Sequence, residues 1–479
     1  MPALKTDLFI DGTWTPSSTG ATFPVENPAT HETIAHVADG TAQDARRAIE
    51  AAGNAQAAWG HTAPRVRAGI LRCAHDLVLA RTDDLAAMMT AEMGKPLREA
   101  RGEVAYGAAF LRWFAEEDAR IGGDGTTAVD GIAVTREPVG PSVLVTPWNF
   151  PLAMGTRKIG AAVAAGCTMV FKPAELTPLT ALALTDILQE AGLPGGVLNV
   201  VTTSRPADVV TAWMTSGIAR KISFTGSTEV GKLLLRQAAD TVMRSSMELG
   251  GNAPFIVLHD ADLDRAVEGA LQAKMRNMGE ACTAANRFYV HRDLADEFSH
   301  RLADRMAALR VGDGAADGTD VGPLIEQAGL DKVQRLVDDA VARGATVLTG
   351  GARLDRPGYF YQPTVLVDVP AGAAINVTEI FGPVAPISVF DTDSEVIRRA
   401  NDTASGLVGY VFTRDLDRAA HICAALEVGM VGVNTGIVSN PAAPFGGVKQ
   451  SGLGREGGHA GIEEFLEYKY TATPASQYP

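Results

Sequence analysis

The chain has 479 residues, which is too long for one hydrophobic core and predicts two or three domains. Hydrophobic residues make up 46% of it and charged residues 20%, proportions typical of a globular protein. The formal net charge of −14 argues against nucleic acid or an anionic membrane surface as a partner, because both need clustered lysine and arginine. It leaves room for an anionic small molecule, since a few local arginines are enough to bind one.

The four cysteines stand far apart in the chain, at positions 73, 167, 282 and 423. None pairs with another at the short spacing of a metal or redox motif, so we expect no disulfide framework, no metal site and a reducing, cytoplasmic environment. The longest apolar run, residues 159–171, is too short to cross a bilayer, and the first residues lack the shape of a signal peptide. These features predict a protein without membrane contact.

Helical periodicity dominates the first quarter of the chain. After a short strand at residues 8–10, apolar spacing predicts helices from about Ala42 to Trp59, from Pro64 to Met93 and from Leu97 to Glu117. Residues 121–138 then combine glycines with an alternating apolar pattern, which predicts a β-hairpin that leaves the main body.

From residue 140 onward, short apolar strands alternate with helices. Strands are predicted at residues 143–145, 169–171, 198–201, 221–224, 255–258 and 288–290. Helices are predicted at 151–166 and 179–191, and from 263 and 295 onward. This alternation predicts two α/β bodies with parallel sheets, divided near residue 250. A last strand at 465–470 has no local partner, which predicts sheet addition to another subunit.

Two glycine-rich segments match nucleotide-binding fingerprints by letter. The first, Gly452-x-Gly454-x-x-Gly457, has no strand leading into it and no acidic residue at the expected distance, so we interpret it as a turn. The second, residues 226–233, lacks the final hydroxyl that a magnesium-bound triphosphate needs, but it follows a strand and opens a helix. Such a junction suits a dinucleotide pyrophosphate and disfavours a P-loop nucleotidase.

A carboxylate and a thiol stand in glycine-containing segments near the middle of the chain. Glu248 precedes a pair of glycines, and Cys282 follows it by 34 positions. A lone cysteine is most often a small core residue. Together, however, a thiol nucleophile and a carboxylate base are the groups needed to form a thioester and then hydrolyse it.

Seven motifs follow one another along the chain: TPWNFP at 146–151, FKPAE at 171–175, FTGS at 224–227, ELGG at 248–251, Cys282, EIFGP at 379–383 and PFGG at 444–447. In this order, over residues 8–470, the chain resembles the NAD(P)-dependent aldehyde dehydrogenases. Within that superfamily it is most similar to the succinate-semialdehyde dehydrogenases, through TRK at 156–158, RN at 276–277, TGIVS at 435–439 and SGLGREG at 451–457.

The resemblance implies an α/β fold with two Rossmann-like parallel-sheet domains and a small β arm for oligomerisation. A dinucleotide-binding domain is expected at residues 1–120 and 140–248, and a catalytic domain at 249–440. The arm is expected at 121–139 and 460–479, and residues 441–459 return to the cofactor domain. We therefore expect a homodimer or homotetramer.

The resemblance also implies three catalytic residues. Thiolate attack by Cys282 on an aldehyde gives an oxyanion that the Asn149 amide and the Cys282 backbone N–H can stabilise. The alternative for Asn149 is a helix N-cap before Pro151. Glu248 is expected to activate the water that hydrolyses the thioester, the alternative being an ion pair with Arg244 one helical turn earlier. A second carboxylate, Glu456, is a candidate proton relay.

The cofactor residues implied by the resemblance are Trp148, Lys172, Glu175, Gly226, Ser227, Glu379 and Phe381. Lys172 and Glu175 are expected at the adenosine ribose, Ser227 at the pyrophosphate and Glu379 at the nicotinamide ribose, with Phe381 beside the nicotinamide. A carboxylate at position 175 accepts hydrogen bonds from both ribose hydroxyls and repels a 2′-phosphate. We therefore predict NAD in preference to NADP.

Three residues match the family's carboxylate-binding positions, namely Arg157, Arg276 and Ser439. They predict succinic semialdehyde as the substrate, because bidentate arginine contacts suit a carboxylate. The alternative for each arginine is an ion pair with a neighbouring acid. Other aldehydes remain open as substrates: glutarate semialdehyde, or an ω-amino or aromatic aldehyde. A CoA-acylating enzyme is disfavoured by Glu248, and a non-catalytic structural protein by the intact Cys282.

Glu280 departs from the family pattern, which usually has glutamine two residues before the nucleophile. If its charge reaches the thiol, the carboxylate is expected to raise the pKa of Cys282 and to repel an anionic substrate.

Overall fold

The computed structural model describes residues 4–120 and 132–473. The helices are α1 (Ala42–Gly60), α2 (Pro64–Ala80), α3 (Thr82–Met93), α4 (Leu97–Arg120), α5 (Pro151–Ala165), α6 (Pro178–Glu190), α7 (Pro206–Met214), α8 (Thr228–Ala239), α9 (Leu263–Met275), α10 (Arg292–Ala307), α11 (Gln327–Ala342), α12 (Asp393–Asn401), α13 (Leu416–Ala425) and α14 (Gly458–Glu463). Two 3₁₀ turns cover Arg276–Gly279 and Ala374–Asn376.

The strands are β1 (Leu8–Ile10), β2 (Thr13–Thr15), β3 (Thr22–Glu26), β4 (Thr33–Ala38), β5 (Ile132–Pro138), β6 (Ser142–Val145), β7 (Met169–Lys172), β8 (Leu198–Val200), β9 (Lys221–Thr225), β10 (Arg244–Glu248), β11 (Ala253–Val257), β12 (Ala285–His291), β13 (Thr346–Thr349), β14 (Thr364–Val367), β15 (Val384–Phe390), β16 (Ser405–Gly406), β17 (Val408–Phe412), β18 (Met430–Val433), β19 (Val448–Lys449), β20 (Gly452–Leu453) and β21 (Leu466–Ala472).

The first large sheet has eight strands in the order β2-β1-β8-β7-β6-β9-β10-β20. The central strands β8, β7, β6, β9 and β10 run parallel to one another, whereas β1 and β20 run antiparallel to their neighbours. Leu144 of β6 packs into one hydrophobic core, and Val143 and Val145 pack into another. Both faces of the sheet are therefore covered, which explains why its strands read as continuous apolar runs.

The second large sheet has seven strands in the order β13-β14-β15-β12-β11-β17-β18. All neighbours are parallel except β13, which is antiparallel to β14. The chain passes from the first sheet to the second between Glu248 and Ala253, at the predicted division. The expectation of two parallel-sheet bodies is thus confirmed. The short strand β20 brings the chain back to the first sheet by pairing with β10.

The two segments expected to form the arm pair with each other, and addition of the terminal strand to another subunit stays a prediction. Strand β21 pairs antiparallel with β5 of the same chain over seven positions, from Leu466 opposite Pro138 to Ala472 opposite Ile132. The two segments thus form one long-range ribbon. The remainder of the predicted hairpin, residues 121–131, lies outside the described residues.

Three other expectations about local secondary structure are corrected. The helix predicted over 64–93 is interrupted at Arg81, which separates α2 from α3. Arg244 and Glu248 lie on strand β10, not on a helix. The GxGxxG segment begins as the edge strand β20 before it turns. Within the described residues, no helix is both long and apolar enough to span a membrane.

Candidate active site

The candidate site lies where the carboxyl ends of strands in the first sheet face the amino ends of strands in the second sheet. Trp148 and Asn149 follow β6, Ser227 follows β9, and Glu248 ends β10. From the other side, Cys282 precedes β12 and Glu379 precedes β15. These residues share a cavity of about 240 Å³, lined also by Phe150, Met154, Gly226, Leu249, Lys332 and Phe381. The topology therefore unites segments as distant in the chain as Trp148 and Phe381.

The loop that carries the nucleophile is held in an unusual backbone conformation. Asn277, Met278 and Gly279 have consecutive positive φ angles of 54°, 56° and 81°. A Cβ atom at Gly279 would overlap the carbonyl oxygen of Gly382, in the segment that carries Glu379. Only glycine allows this close approach, so Gly279 lets the segment of Cys282 pack against the segment of Glu379.

Cys282 is partly exposed and lines the cavity of about 240 Å³, the smaller of two cavities at the site. Burial raises its pKa to about 12, and the nearby carboxylates Glu379 and Glu248 add to the rise, whereas Arg157 opposes it. The group is therefore a thiol at neutral pH in this state and must lose its proton as it attacks a substrate.

Asn149 is fixed through both its side chain and its backbone. Its Nδ2 donates to the carbonyl of Glu280 at 3.0 Å. Its own carbonyl accepts from Lys95 Nζ at 2.8 Å and from Asn277 Nδ2 at 3.1 Å. The prediction that Asn149 is a helix N-cap is wrong, because Phe150 occupies the N-cap position of α5. No side-chain hydrogen bond is made from that cap position.

Glu248 is buried, with 3% of its surface exposed, and neither carboxylate oxygen has a hydrogen-bond partner within the described structure. Burial, reinforced by the charge of Glu456, raises its pKa well above the usual value. The alternative ion pair with Arg244 is wrong, since that guanidinium contacts the carbonyls of Glu463 and Leu466 and the carboxylate of Glu467. Glu248 is thus an unengaged base beside the thiol.

Glu456 lies at the centre of a buried charge cluster. Arg157 Nε is 2.7 Å from its Oε2, and Lys158 Nζ pairs with its Oε1 and donates to Ser223 Oγ at 2.9 Å. Arg157 is 1% exposed, and its guanidinium packs 4.4 Å from the Phe445 ring. It lines neither the cavity around Cys282 nor the neighbouring cavity that Arg276 lines. Its geometry therefore favours the ion-pair alternative over contact with a substrate.

Arg276 and Ser439 do come together, in the wall of a second cavity of about 680 Å³. Arg276 Nη1 donates to Ser439 Oγ at 3.0 Å, and the guanidinium stacks 4.8 Å from the Phe150 ring and 5.7 Å from the Tyr106 ring. Tyr106 and Phe150 were not predicted as site residues. Phe150 stands inside the TPWNFP motif, whereas Tyr106 carries no sequence signal beyond its place on a helix.

Five of the residues expected around a dinucleotide line the smaller cavity, namely Trp148, Gly226, Ser227, Glu379 and Phe381, whereas Lys172 and Glu175 do not. Lys172 Nζ lies 2.8 Å from Glu175 Oε2, and this carboxylate is 44% exposed. Burial opposes ionisation of Glu175, but Lys172 lowers its pKa below the usual value. Ser227 caps α8, with Val230 N donating to its Oγ at 3.4 Å.

The nicotinamide end of the expected cofactor site has a buried carboxylate and an aromatic pair. Glu379 Oε1 accepts from the backbone N of Gly251 at 3.0 Å, and burial raises the pKa of Glu379 to about 7. Trp148 and Phe381 meet edge to face, with ring centroids 5.4 Å apart. Lys332 lines the same cavity, 5.7 Å from the Phe381 ring, and the sequence did not single it out.

Glu280 does not act on the thiol as the sequence suggested. Its Oε1 accepts from the backbone N of Ile325 at 3.2 Å, and its Oε2 is buried without a partner in the described structure. Burial raises its pKa well above the usual value, which favours the protonated form of this carboxyl. The charges that shift the pKa of Cys282 most are those of Arg157, Glu379, Glu248 and Arg276, and Glu280 is not one of them.

Residues 14–471 match the aldehyde dehydrogenase family. Over 440 residues the chain is 57% identical to a succinate-semialdehyde dehydrogenase of Paenarthrobacter nicotinovorans, across 91% of this chain and 98% of that protein. It is 50% identical to a glutarate-semialdehyde dehydrogenase of Pseudomonas putida, across 97% of each chain. A solved structure of an NADP-dependent enzyme from E. coli matches with a TM-score of 0.96 and 48% identity, and 98% of both chains is covered. The chain therefore belongs to the aldehyde dehydrogenase family and is an NAD(P)-dependent oxidoreductase that acts on aldehydes.

Proposed function

We propose that this protein oxidises succinic semialdehyde to succinate with NAD, through a thioester on Cys282. The observation that carries the choice of substrate is the Arg276–Ser439 pair in the wall of the larger cavity. A guanidinium beside a hydroxyl suits a carboxylate. Phe150 lines both this cavity and the one that contains Cys282, so an aldehyde with a distant carboxylate has a group to meet at each end.

The catalytic steps follow from the groups around Cys282. Its sulfur bonds to the aldehyde carbon as the thiol releases its proton to solvent, and the carbonyl oxygen becomes an oxyanion. The Asn149 amide and the Cys282 backbone N–H donate to that oxygen. Trp148, Glu379 and Phe381 would hold the nicotinamide, which would supply the hydride acceptor needed to turn this adduct into a thioester. Glu248 then takes a proton from the water whose oxygen bonds to the acyl carbon as the C–S bond breaks, and its two unpartnered oxygens suit this task. The acid leaves, and the Cys282 sulfur recovers a proton.

A nicotinamide dinucleotide fits residues that both sheets contribute to the site. Ser227 is the N-cap of the 12-residue helix α8. The backbone amides and the dipole at a helix N-terminus favour binding of a pyrophosphate. A Cβ atom at Gly250 would lie 2.9 Å from Glu379 Oε2, so the glycine keeps this carboxylate open towards the cavity. An open carboxylate can accept hydrogen bonds from ribose hydroxyls.

The preference for NAD rests on Glu175. Because Lys172 holds this carboxylate ionised, a 2′-phosphate would meet a negative charge where a 2′-hydroxyl meets an acceptor. The E. coli enzyme with the same fold is NADP-dependent, so the family fold alone does not decide between the cofactors.

Glutarate semialdehyde is the second candidate substrate. It carries the same carboxylate on a chain one methylene longer, and a relative at 50% identity is a glutarate-semialdehyde dehydrogenase. One methylene is worth only about 1–3 kcal/mol of discrimination in an apolar pocket, so the two substrates must be compared directly.

The test compares initial rates of nicotinamide reduction for succinic semialdehyde, glutaric semialdehyde and butanal, each with NAD and with NADP and without CoA. Arg276→Met should raise KM for both acids and leave butanal unaffected. The matched control is Arg305→Met, because Arg305 lines the same cavity but is 54% exposed and paired with Glu268. Equal loss on acids and butanal in Arg276→Met would refute a carboxylate-binding role.

Oligomerisation through the β5–β21 ribbon forms part of the proposal. Tyr468 and Tyr470 of β21 are 62% and 71% exposed, which is unusual for aromatic side chains on a strand. A second copy of the chain would cover them. Light scattering of a Tyr468→Lys/Tyr470→Lys variant should show a smaller particle than the parent protein, and an unchanged mass would argue against this contact.

A further inference from the structure

Three charged side chains lie on one face of the first turns of α4 and the turn before it: Lys95, Glu99 and Glu103. We refer to them as the α4 bracket. Lys95 and Glu103 are buried, with 0% and 3% of their surface exposed, and Glu99 is partly buried. All three also line the larger cavity, and none takes part in a step of the proposed reaction. All three nevertheless contact the segments that carry Asn149 and Cys282.

Glu103 caps the helix that follows Asn149. Its Oε1 accepts from the backbone N of Leu152 at 3.0 Å and from that of Ala153 at 3.2 Å. These are first-turn amides of α5, which has no side-chain cap of its own. A carboxylate from a different helix therefore satisfies donors that a local serine, threonine or aspartate usually satisfies.

Lys95 connects Glu103 to Asn149. Its ammonium pairs with the Glu103 carboxylate and donates to the Asn149 carbonyl at 2.8 Å. It also lies 4.2 Å from the centre of the Phe150 ring, and the Arg276 guanidinium lies 4.8 Å from the same ring. One buried cation thus fixes the backbone of the oxyanion donor and the ring between the two cavities.

Glu99 holds the other side of the site. Its Oε2 accepts from the backbone N of Asn277 at 2.6 Å. Asn277 Nδ2 in turn donates to the carbonyls of Asn149, at 3.1 Å, and Glu280, at 2.9 Å. The segment before Cys282 is therefore tied to the same helix as the segment around Asn149.

A buried ion pair is a poor device for stability alone, because the cost of desolvating both charges offsets much of their attraction. Here Lys95 binds the backbone of Asn149 and Glu99 binds the segment that leads to Cys282, so the α4 bracket contacts both segments that supply an oxyanion donor. We propose that Lys95, Glu99 and Glu103 are positioning residues that set the separation between the Asn149 amide and the Cys282 backbone N–H. This inference rests on the proposed function.

The test uses the full-length Lys95→Met/Glu103→Gln variant. This double change removes both partners of the buried ion pair, and glutamine keeps an acceptor for Leu152 N and Ala153 N, so the contacts it removes are those of Lys95 with Asn149 and with the Phe150 ring. We expect kcat to fall by about 10- to 100-fold, because displacements of about 1 Å have effects of that size. The rate of Cys282 alkylation by iodoacetamide should stay within about twofold, since alkylation forms no oxyanion.

The matched control is Glu92→Gln. Glu92 is also buried and caps a helix across space, accepting from the backbone N of Leu179 at 2.7 Å and of Thr180 at 2.9 Å. Helix α6 carries none of the proposed catalytic residues, so this variant should keep the parent kcat. A fall in kcat equal to that of the double variant would mean that any lost buried cap slows the enzyme, and would overturn the inference.

Asn149→Ala separates failure of the inference from failure of the proposed function. Removing an oxyanion donor should lower kcat by about 10²- to 10³-fold, and an unchanged kcat would remove the proposed role of Asn149 itself. If Asn149→Ala slows the enzyme, adding Lys95→Met/Glu103→Gln to it should cost less than about twofold more, because residues that act through one group are not additive. Full additivity, or loss through KM alone, would contradict positioning.

Discussion

Replacing Gly279 by alanine should damage both the fold and the active site. The residue has a φ of 81°, in the left-handed region that side chains with a Cβ rarely adopt. An added Cβ would overlap the carbonyl oxygen of Gly382 and would lie 2.5 Å from its carbon. The obstacle is backbone, not the end of a flexible side chain, so the loop itself must shift.

The expected cost combines two contributions. Left-handed backbone costs an alanine about 1–2 kcal/mol, and overpacking against fixed backbone costs about 1–3 kcal/mol. The sum of about 2–5 kcal/mol corresponds to a fall in Tm of roughly 5–15 °C for a protein built from domains of this size. If the shift moves Cys282 by about 1 Å, kcat should fall by about 100-fold.

Calorimetry and steady-state rates measure the two effects separately. The control is Gly329→Ala, on helix α11, where nothing lies within 4 Å of an added Cβ. That change should be neutral or stabilising by about 0.5–1 kcal/mol, because alanine is the better helix former. A Gly279→Ala protein with the Tm and kcat of the parent would refute the close-approach argument.

Three further predictions concern charge. Glu456→Gln removes the like charge that helps to raise the pKa of Glu248. Because Glu248 must be ionised to act as the base, the acidic limb of the kcat–pH profile should move to lower pH. A move to higher pH would contradict this. Glu280→Gln should raise Tm, because a carboxyl whose folded pKa exceeds its usual 4.5 destabilises the fold increasingly as pH rises above that value. Thermal scans should show no gain in Tm near about pH 4 and a gain by about pH 8. Glu175→Ala should lower the ratio of kcat/KM for NAD to that for NADP about tenfold, or ~1.4 kcal/mol, since solvent screens a half-exposed carboxylate; an unchanged ratio would mean that Glu175 does not face the 2′ position.

The sequence predicted the parts of the fold that depend on local pattern. Strands such as β6 and β7 are buried on both faces, so they read as apolar runs, and the helices between them show the 3.6-residue period. The motifs that carry the family resemblance predicted Asn149, Ser227 and Glu248 as site residues, and in the structure these residues follow or end β6, β9 and β10. The carboxyl ends of neighbouring parallel strands must meet at one edge of a sheet.

Long-range pairing and the surroundings of charged residues were not predictable in this way. The partner of β21 is more than 300 residues away, and alternation within a strand does not name its neighbour. Arg157 matches a carboxylate-binding position, yet the structure buries it against Glu456. Lys95 and Glu103 look like ordinary polar positions at the start of a helix, because sequence shows the residue type but not what lies behind it.

The most direct test of the account is to trap the acyl group on Cys282. Glu248→Gln removes the hydrolytic base and keeps the thiol, so incubation with succinic semialdehyde and NAD should release one equivalent of NADH in a burst. Mass spectrometry of the digested protein should then find a succinyl group on the Cys282 peptide. Turnover at the parent rate with an unmodified Cys282 would contradict the thioester mechanism and the role of Glu248 together.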